Sequence, residues 1–139
     1  MNIDIERVNE RLQAMYQAES GEKKESSLTS KELYIGWAEN LGLKVKEDTS
    51  GSIVIRLQGR DPYLTSIVMS SRLDQVLDGG KYDGALGCIG ALEGCETLLE
   101  EDYVPEHPIE IVIFTNQGSG RETIREPESV HCLIELHAD

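Results

Sequence analysis

The sequence LTSIVMSSRLD, residues 64–74, begins the strand–helix–strand pattern from which the fold of this 139-residue chain is predicted. Its first half, Leu64 to Met69, is an apolar-leaning run, which predicts a strand buried on both faces of a sheet. A glycine-rich loop follows and leads into a predicted helix over residues 84–101. A second apolar run, Ile109 to Phe114, predicts another strand. Because a strand, a helix and a strand follow one another, we expect a parallel pair joined by a crossover helix.

The predicted crossover helix is rich in small residues, namely Gly87, Gly90, Ala91 and Gly94. Glycine inside a helix costs about 1 kcal/mol relative to alanine, so close packing is the expected compensation. The pattern therefore predicts that this face of the helix lies directly against the sheet.

Two helices precede this unit. Apolar residues at spacings of three and four predict the first over residues 3–18, with a stripe facing the core: Ile5, Val8, Leu12 and Met15. The second helix begins at a capping box, Thr29 to Glu32, and ends at Gly42. Its predicted core face consists of Leu33, Trp37 and Leu41.

Two further regions have strand patterns. Residues 44–46 and 52–57 flank a turn over 48–51 and predict a hairpin, and residues 130–136 predict a last strand. Together these elements predict an α/β fold, a three-layer-type sandwich in which helices flank a small, mostly parallel (mixed) sheet. The length fits a single domain over residues 1–139.

Composition excludes several classes of partner. The chain carries 13 basic and 26 acidic side chains, a net charge of −13, whereas nucleic acids and anionic lipids require a basic surface. We therefore expect neither nucleic acid nor membrane as a partner. The N-terminus lacks the features of a signal peptide. Cys88, Cys95 and Cys132 lack metal-ligand spacing and predict reduced core thiols in a cytoplasmic protein.

Polar residues follow each predicted strand. Arg72 and Asp74 follow the first, Asn116 follows the second and His137 follows the last, while Asp83 precedes the crossover helix. In open α/β sheets, ligands bind beyond the carboxyl ends of the strands. We therefore expect these side chains to converge on one rim of the sheet.

Three segments on this rim carry a family resemblance: SRLDQV (71–76), GGKYDGALG (79–87) and IVIFTN (111–116). They closely resemble zinc-dependent amidohydrolases of the aminoacylase/carboxypeptidase-type metallopeptidase family. The nearest branch is that of the N-carbamoyl-amino-acid and allantoate amidohydrolases, whose metal-binding Glu-Leu-His strand resembles residues 135–137. The resemblance implies the N-terminal half of a catalytic domain, without the family's lid or dimerisation domain.

The resemblance also implies two zinc ions and a glutamate base, but the sequence departs from the family at most of these positions. Arg72 occupies the place of the first zinc-binding His, Gln117 that of the base, and Gly118 that of a zinc-binding Glu. If one residue is deleted in this block, Gln117 takes the place of the zinc-binding Glu instead. Only Asp83 and His137 keep the residue types of zinc ligands.

These substitutions remove both the zinc ligands and the general base that hydrolysis requires. A guanidinium is always charged and cannot bind zinc, and a glutamine side chain cannot accept a proton. Asp74, whose counterpart orients the first His in the family, has no imidazole to orient. Two remaining ligands fall short of the three or four that zinc requires, so we expect no catalytic residue and no cofactor.

Simpler roles stay open for the same residues. Asp83 is suited to cap the crossover helix. Arg72 is suited to neutralise Asp83 or Asp74, so that no buried carboxylate is left unpaired. His137 is then only a polar residue near the end of the chain.

Two functions follow. The first is a catalytically inactive homologue, retained as a binding or assembly module of unknown ligand. We expect it to be a homodimer formed through an exposed sheet edge or helix face, because an uncovered edge must be paired. The alternative is a zinc-dependent hydrolase of linear amide or ureido C–N bonds, with a site completed by another chain. A third possibility, which the sequence does not separate from the first, is a folded relic without a selected function.

Overall fold

The computed structural model describes residues 2–19, 28–73 and 85–114. The described elements, in chain order, are α1 (Ile5–Glu19), α2 (Ser30–Asn40), β1 (Lys44–Glu47), β2 (Ile53–Leu57), β3 (Ile67–Arg72), α3 (Ala85–Glu100) and β4 (Ile109–Phe114). The strand predicted over residues 130–136 lies outside the described residues.

The strands form one mixed sheet in the order β1-β2-β4-β3. β1 and β2 are antiparallel, as the predicted hairpin requires, and β2 is antiparallel to β4. β3 and β4 are parallel and are joined through α3, as predicted. The α/β class with a mixed sheet and packed helices is therefore confirmed, although two of the three described strand pairings are antiparallel.

All three described helices contribute to one core on the same face of the sheet. This core combines side chains of the helices with alternate residues of the strands, among them Leu12, Met15, Tyr34, Ala38, Cys88, Ile89, Leu92, Cys95, Ile53, Ile55, Ile111 and Ile113. α2 and α3 pack against strands, whereas α1 packs mainly on α2 and α3. α1 thus packs against both of the other helices. None of the described helices is long and apolar enough to cross a membrane.

The prediction that β3 is buried on both faces is wrong. β3 is the outermost strand of the described sheet, and Ile67 at its start is 54% exposed. The buried strand is β4, which lies between β2 and β3. β3 also starts three residues later than predicted, because Leu64 closes a turn by donating its backbone N–H to the Asp61 carbonyl oxygen.

The core face of α2 differs from the prediction by one residue. Tyr34 and Ala38 are fully buried, whereas Leu33 and Trp37 are only half-buried. Tyr34 can be buried because its hydroxyl donates a hydrogen bond of 2.6 Å to the Cys88 carbonyl oxygen on α3. In α1, Leu12 and Met15 are buried as predicted, but Ile5 is 63% exposed.

Both predicted ends of α2 are confirmed. The Thr29 side chain accepts a hydrogen bond from the backbone N–H of Glu32, as in a capping box. After the helix, Gly42 has φ of 82°, a left-handed conformation that glycine adopts without steric cost.

The small residues of α3 meet the sheet at one position only. A Cβ atom on Gly87 would collide with Ser71 Oγ of β3, so this close approach is confirmed. Gly90 and Gly94 would present a Cβ to open space, with no atom within 4 Å. The prediction that the whole glycine stripe lies on the sheet is therefore wrong, because the stripe turns away from β3 along the helix.

Candidate functional site

The predicted rim is built on the carboxyl ends of β3 and β4. These strands are parallel, and Arg72 at the end of β3 pairs with Phe114 at the end of β4. The carboxyl ends of the two strands therefore lie side by side. The other predicted rim residues lie outside the described residues, and their placement stays a prediction: Asp74, Asp83, Asn116, Gln117, Gly118 and His137.

Arg72 is presented by a backbone that is fixed on two sides. The Cys88 thiol of α3 donates to the Arg72 carbonyl oxygen at 3.3 Å, and Ser71 lies against Gly87. On the other side, the backbone N–H of Leu73 donates to the Phe114 carbonyl oxygen at 3.4 Å. Arg72 itself is exposed. The strand end is thus held by hydrogen bonds to α3 and β4, and it carries a permanent positive charge at the rim.

This position does not fit a zinc ligand. A guanidinium has no lone pair for a metal and repels a divalent cation. Within residues 2–19, 28–73 and 85–114, no group of three or more His, Cys, Asp or Glu side chains is arranged to hold a metal ion. We therefore derive no chemical step through zinc.

The cysteines beside the rim are part of the core. Cys88 and Cys95 are buried free thiols on α3, as predicted, whereas Cys132 lies outside the described residues. Burial raises the pKa of the Cys95 thiol to about 11, so it is protonated at neutral pH. Neither thiol has the exposed, electropositive setting of a nucleophile.

Five charged residues that were not predicted as a site lie between α1 and α3 and are here called the α1–α3 charge cluster: Arg7, Arg11, Glu93, Glu96 and Glu100. Two signals could have found it. Arg7 and Arg11 are four residues apart on one helix, and Glu93 interrupts a largely apolar stretch of α3. Their partnership could not be read from the sequence, because the paired residues are more than eighty positions apart.

Comparisons with known proteins identify relatives of this chain. No protein-family profile matches the chain. It is 37% identical over 92 residues to an N-carbamoyl-L-amino acid amidohydrolase of Geobacillus stearothermophilus, covering 66% of this chain and 22% of that protein. It is 36% identical over 80 residues to a ureidoglycolate hydrolase of Arabidopsis thaliana, covering 58% of this chain and 17% of that protein.

A solved structure extends the similarity to three dimensions. A hydantoinase/carbamoylase family amidase from Burkholderia ambifaria superposes with a TM-score of 0.73 at 26% identity, covering 86% of this chain and 31% of that one. Homologues of this chain are thus N-carbamoyl-L-amino-acid amidohydrolases and ureidoglycolate hydrolases, and the resemblance read from its motifs is confirmed. The chain spans about a fifth of the length of these curated relatives.

Proposed function

We propose that this chain is a catalytically inactive homologue of the zinc-dependent amidohydrolases and acts as a binding or assembly module. The observation that carries the proposal is Arg72, exposed at the carboxyl end of β3 where the resemblance places a zinc-binding His. Gln117 and Gly118, in place of two glutamates, support it from the sequence. A metal-dependent hydrolase needs both a metal-activated water and a base, and these positions supply neither.

The positive charge of Arg72 would repel a divalent cation bound beside it. Two unit charges 4 Å apart interact by about 1 kcal/mol in water and about 4 kcal/mol near a protein surface. A divalent ion at that distance would therefore be repelled by about 2 to 8 kcal/mol. Hydrogen bonds from Cys88 and to Phe114 hold the end of β3, so relief of this repulsion would have to come from the Arg72 side chain or from a group that neutralises it.

The module we propose corresponds to the N-terminal half of the relatives' catalytic domain and is a single domain. The described part supports this, because the three helices and four strands share one core. The free thiols of Cys88 and Cys95 support a reducing compartment such as the cytoplasm.

Self-association at the β3 edge is part of the proposal. β1, at the opposite edge of the described sheet, carries Lys44, Lys46 and Glu47, charged residues of the kind that protect an edge from pairing. β3 instead begins with three apolar residues, and the first of them, Ile67, is 54% exposed. A second copy of this chain would cover that edge.

Sedimentation velocity over a wide concentration range tests this association. We expect a dimer whose population rises with concentration. The Ile67→Lys variant should be monomeric, because a charged side chain opposes edge pairing. Val104→Lys is the matched control, since Val104 is 48% exposed but lies in a loop. A monomer at every concentration contradicts the proposed dimer.

Metal analysis and a ureidolysis assay test the loss of catalysis. We expect the unmodified chain to hold no stoichiometric zinc and to release no ammonia from N-carbamoyl amino acids. Arg72→His removes the positive charge and, with Asp83 and His137, restores three ligand types. We therefore expect this variant to bind zinc at least about ten-fold more tightly than the unmodified chain. Strong zinc binding or turnover by the unmodified chain contradicts the proposal.

A zinc-dependent hydrolase of amide or ureido C–N bonds, completed by another chain, is the alternative function. The observation that favours it is the retention of Asp83 and His137 in a chain whose relatives are amidohydrolases. The same assay at concentrations where the dimer forms, with zinc added, distinguishes the two functions. Turnover that appears only in the dimer supports the alternative.

A further inference from the structure

The carboxylate of Glu93 is the centre of the contact between α1 and α3. Glu93 lies in the middle of α3 and is 1% exposed. Arg7 binds it with two hydrogen bonds, Nε to Oε2 at 2.8 Å and Nη2 to Oε1 at 2.6 Å. The backbone N–H of Asp4 also donates to Oε1 at 3.0 Å. The Thr97 hydroxyl donates mainly to the Glu93 carbonyl oxygen at 2.8 Å and lies 3.3 Å from Oε1. Both carboxylate oxygens are therefore satisfied, mostly by the start of α1.

The rest of the charge cluster ties α1 to both neighbouring helices. Arg11 Nη1 lies 2.6 Å from Glu96 Oε2, and Arg7 Nη2 donates to Glu100 Oε1 at 2.7 Å. The Arg11 guanidinium also lies over the ring of Trp37 on α2, 5.4 Å from its centroid. α1 thus supplies two cations to three carboxylates and one aromatic ring, so charge contributes much of its attachment.

The apolar share of α1 in the core is small. Of the sixteen residues in the buried cluster, only Leu12 and Met15 come from α1. The other fourteen belong to α2, α3, the sheet and its adjoining loops. Since α1 packs mainly on α2 and α3, its departure would leave the contacts of α3 with β3 and β4 in place. Elements with such peripheral contacts open at lower free energy than the core does.

Acid acts directly on this attachment. Burial alone would raise the pKa of Glu93, but hydrogen bonds from Arg7 and from the Asp4 backbone outweigh burial and hold that pKa below its ordinary value. The stabilisation from ionised Glu93 is therefore complete above the ordinary pKa and is lost as the pH falls through the lowered one. The charged groups that face Glu93 are Arg7 and Arg11 from α1 and Glu96 and Glu100 on α3. Arg7 stays charged throughout, so protonation of Glu93 leaves an arginine without its main partner.

We propose that α1 is a releasable arm: it undocks from α3 in acid while α2, α3 and the sheet stay folded. Release uncovers the acidic face of α3 together with the ring of Trp37. The arm is a conformational switch that does not depend on catalysis or metal binding at the Arg72 rim.

Trp37 provides a direct test, because it is the only tryptophan and contacts Arg11. During acid titration of the full chain, we expect Trp37 emission to change at a higher pH than the main loss of far-UV circular dichroism, to which α2 and α3 contribute most. A single transition, with emission and circular dichroism coincident throughout the titration, overturns the proposal.

Hydrogen exchange of the Glu93→Gln variant is the second measurement. Gln keeps the shape of Glu93 but removes its charge, so we expect α1 amides to exchange about ten-fold faster at neutral pH. Amides of β2 and β4 should change less than about two-fold. The matched control is Glu110→Gln, because Glu110 is also buried and pairs with Arg56 at 2.8 Å, but on the sheet. Faster exchange in α1 that is equal in both variants, or absent in Glu93→Gln, contradicts a releasable arm.

Discussion

Replacing Gly59 with alanine is expected to destabilise the protein by about 3 kcal/mol. A Cβ atom on Gly59 would lie 2.6 Å from both His107 C and Pro108 N, and 2.7 Å from Glu106 O. All three are backbone atoms, so no side-chain rotation can relieve the overlap. The two loops would have to separate, although hydrogen bonds of 2.8 Å join Arg60 N to Pro105 O and Ile67 N to Pro108 O. Urea-induced unfolding measures the loss.

Gly90→Ala is the matched control for this prediction. A Cβ on Gly90 meets no atom within 4 Å, and Gly90 lies inside α3. Alanine should therefore stabilise the chain by about 1 kcal/mol, the helix-propensity difference between the two residues. Equal stabilities for Gly59→Ala and Gly90→Ala would show that the two loops do not approach as closely as the structure describes.

The second large effect is expected for Arg7→Met, which should cost about 3 kcal/mol at neutral pH. The substitution keeps much of the apolar stem of Arg7 but leaves the buried carboxylate of Glu93 without its bidentate partner. A buried charge that loses its partner is far more costly than a lost surface pair. Urea-induced unfolding at several pH values measures both the loss and its pH dependence.

The pH dependence distinguishes this effect from lost packing. The cost of Arg7→Met should be full at neutral pH and shrink as the pH falls, because a buried Glu93 without Arg7 is protonated more readily than the paired carboxylate. Lys31→Met is the control, since Lys31 pairs with the exposed Glu47 on the surface. That variant should lose less than about 1 kcal/mol. A cost for Arg7→Met that does not vary with pH would contradict the role assigned to Glu93.

Local sequence patterns were sufficient to predict most of the helices, strands and turns. The capping box at Thr29, the glycine stop at Gly42 and the turn between β1 and β2 are each decided by residues close in sequence. The parallel pairing of β3 and β4 was also predictable, because a strand, a helix and a strand allow few other connections. Hydrophobic periodicity and turn chemistry act over a few residues, so one sequence contains them.

Packing between distant segments was not predictable in the same way. The face of α2 that is buried depends on Tyr34 reaching the Cys88 carbonyl oxygen, which lies 54 positions along the chain. β3 was predicted to be buried from its apolar residues, yet the strand order places it outermost in the described sheet. Periodicity identifies an apolar face but does not show which neighbour covers it.

The features of the candidate site also divide into those that were predictable from the sequence and those that were not. The family resemblance and the residue types at the rim follow from the sequence alone, because a guanidinium at position 72 cannot bind zinc in any fold. The exposure of Arg72 at a strand end held by Cys88, and the contacts of Arg7 and Arg11 with the carboxylates of α3, are properties of the folded chain. The chemistry of a side chain is local, whereas its exposure and its partners depend on segments that only folding brings together.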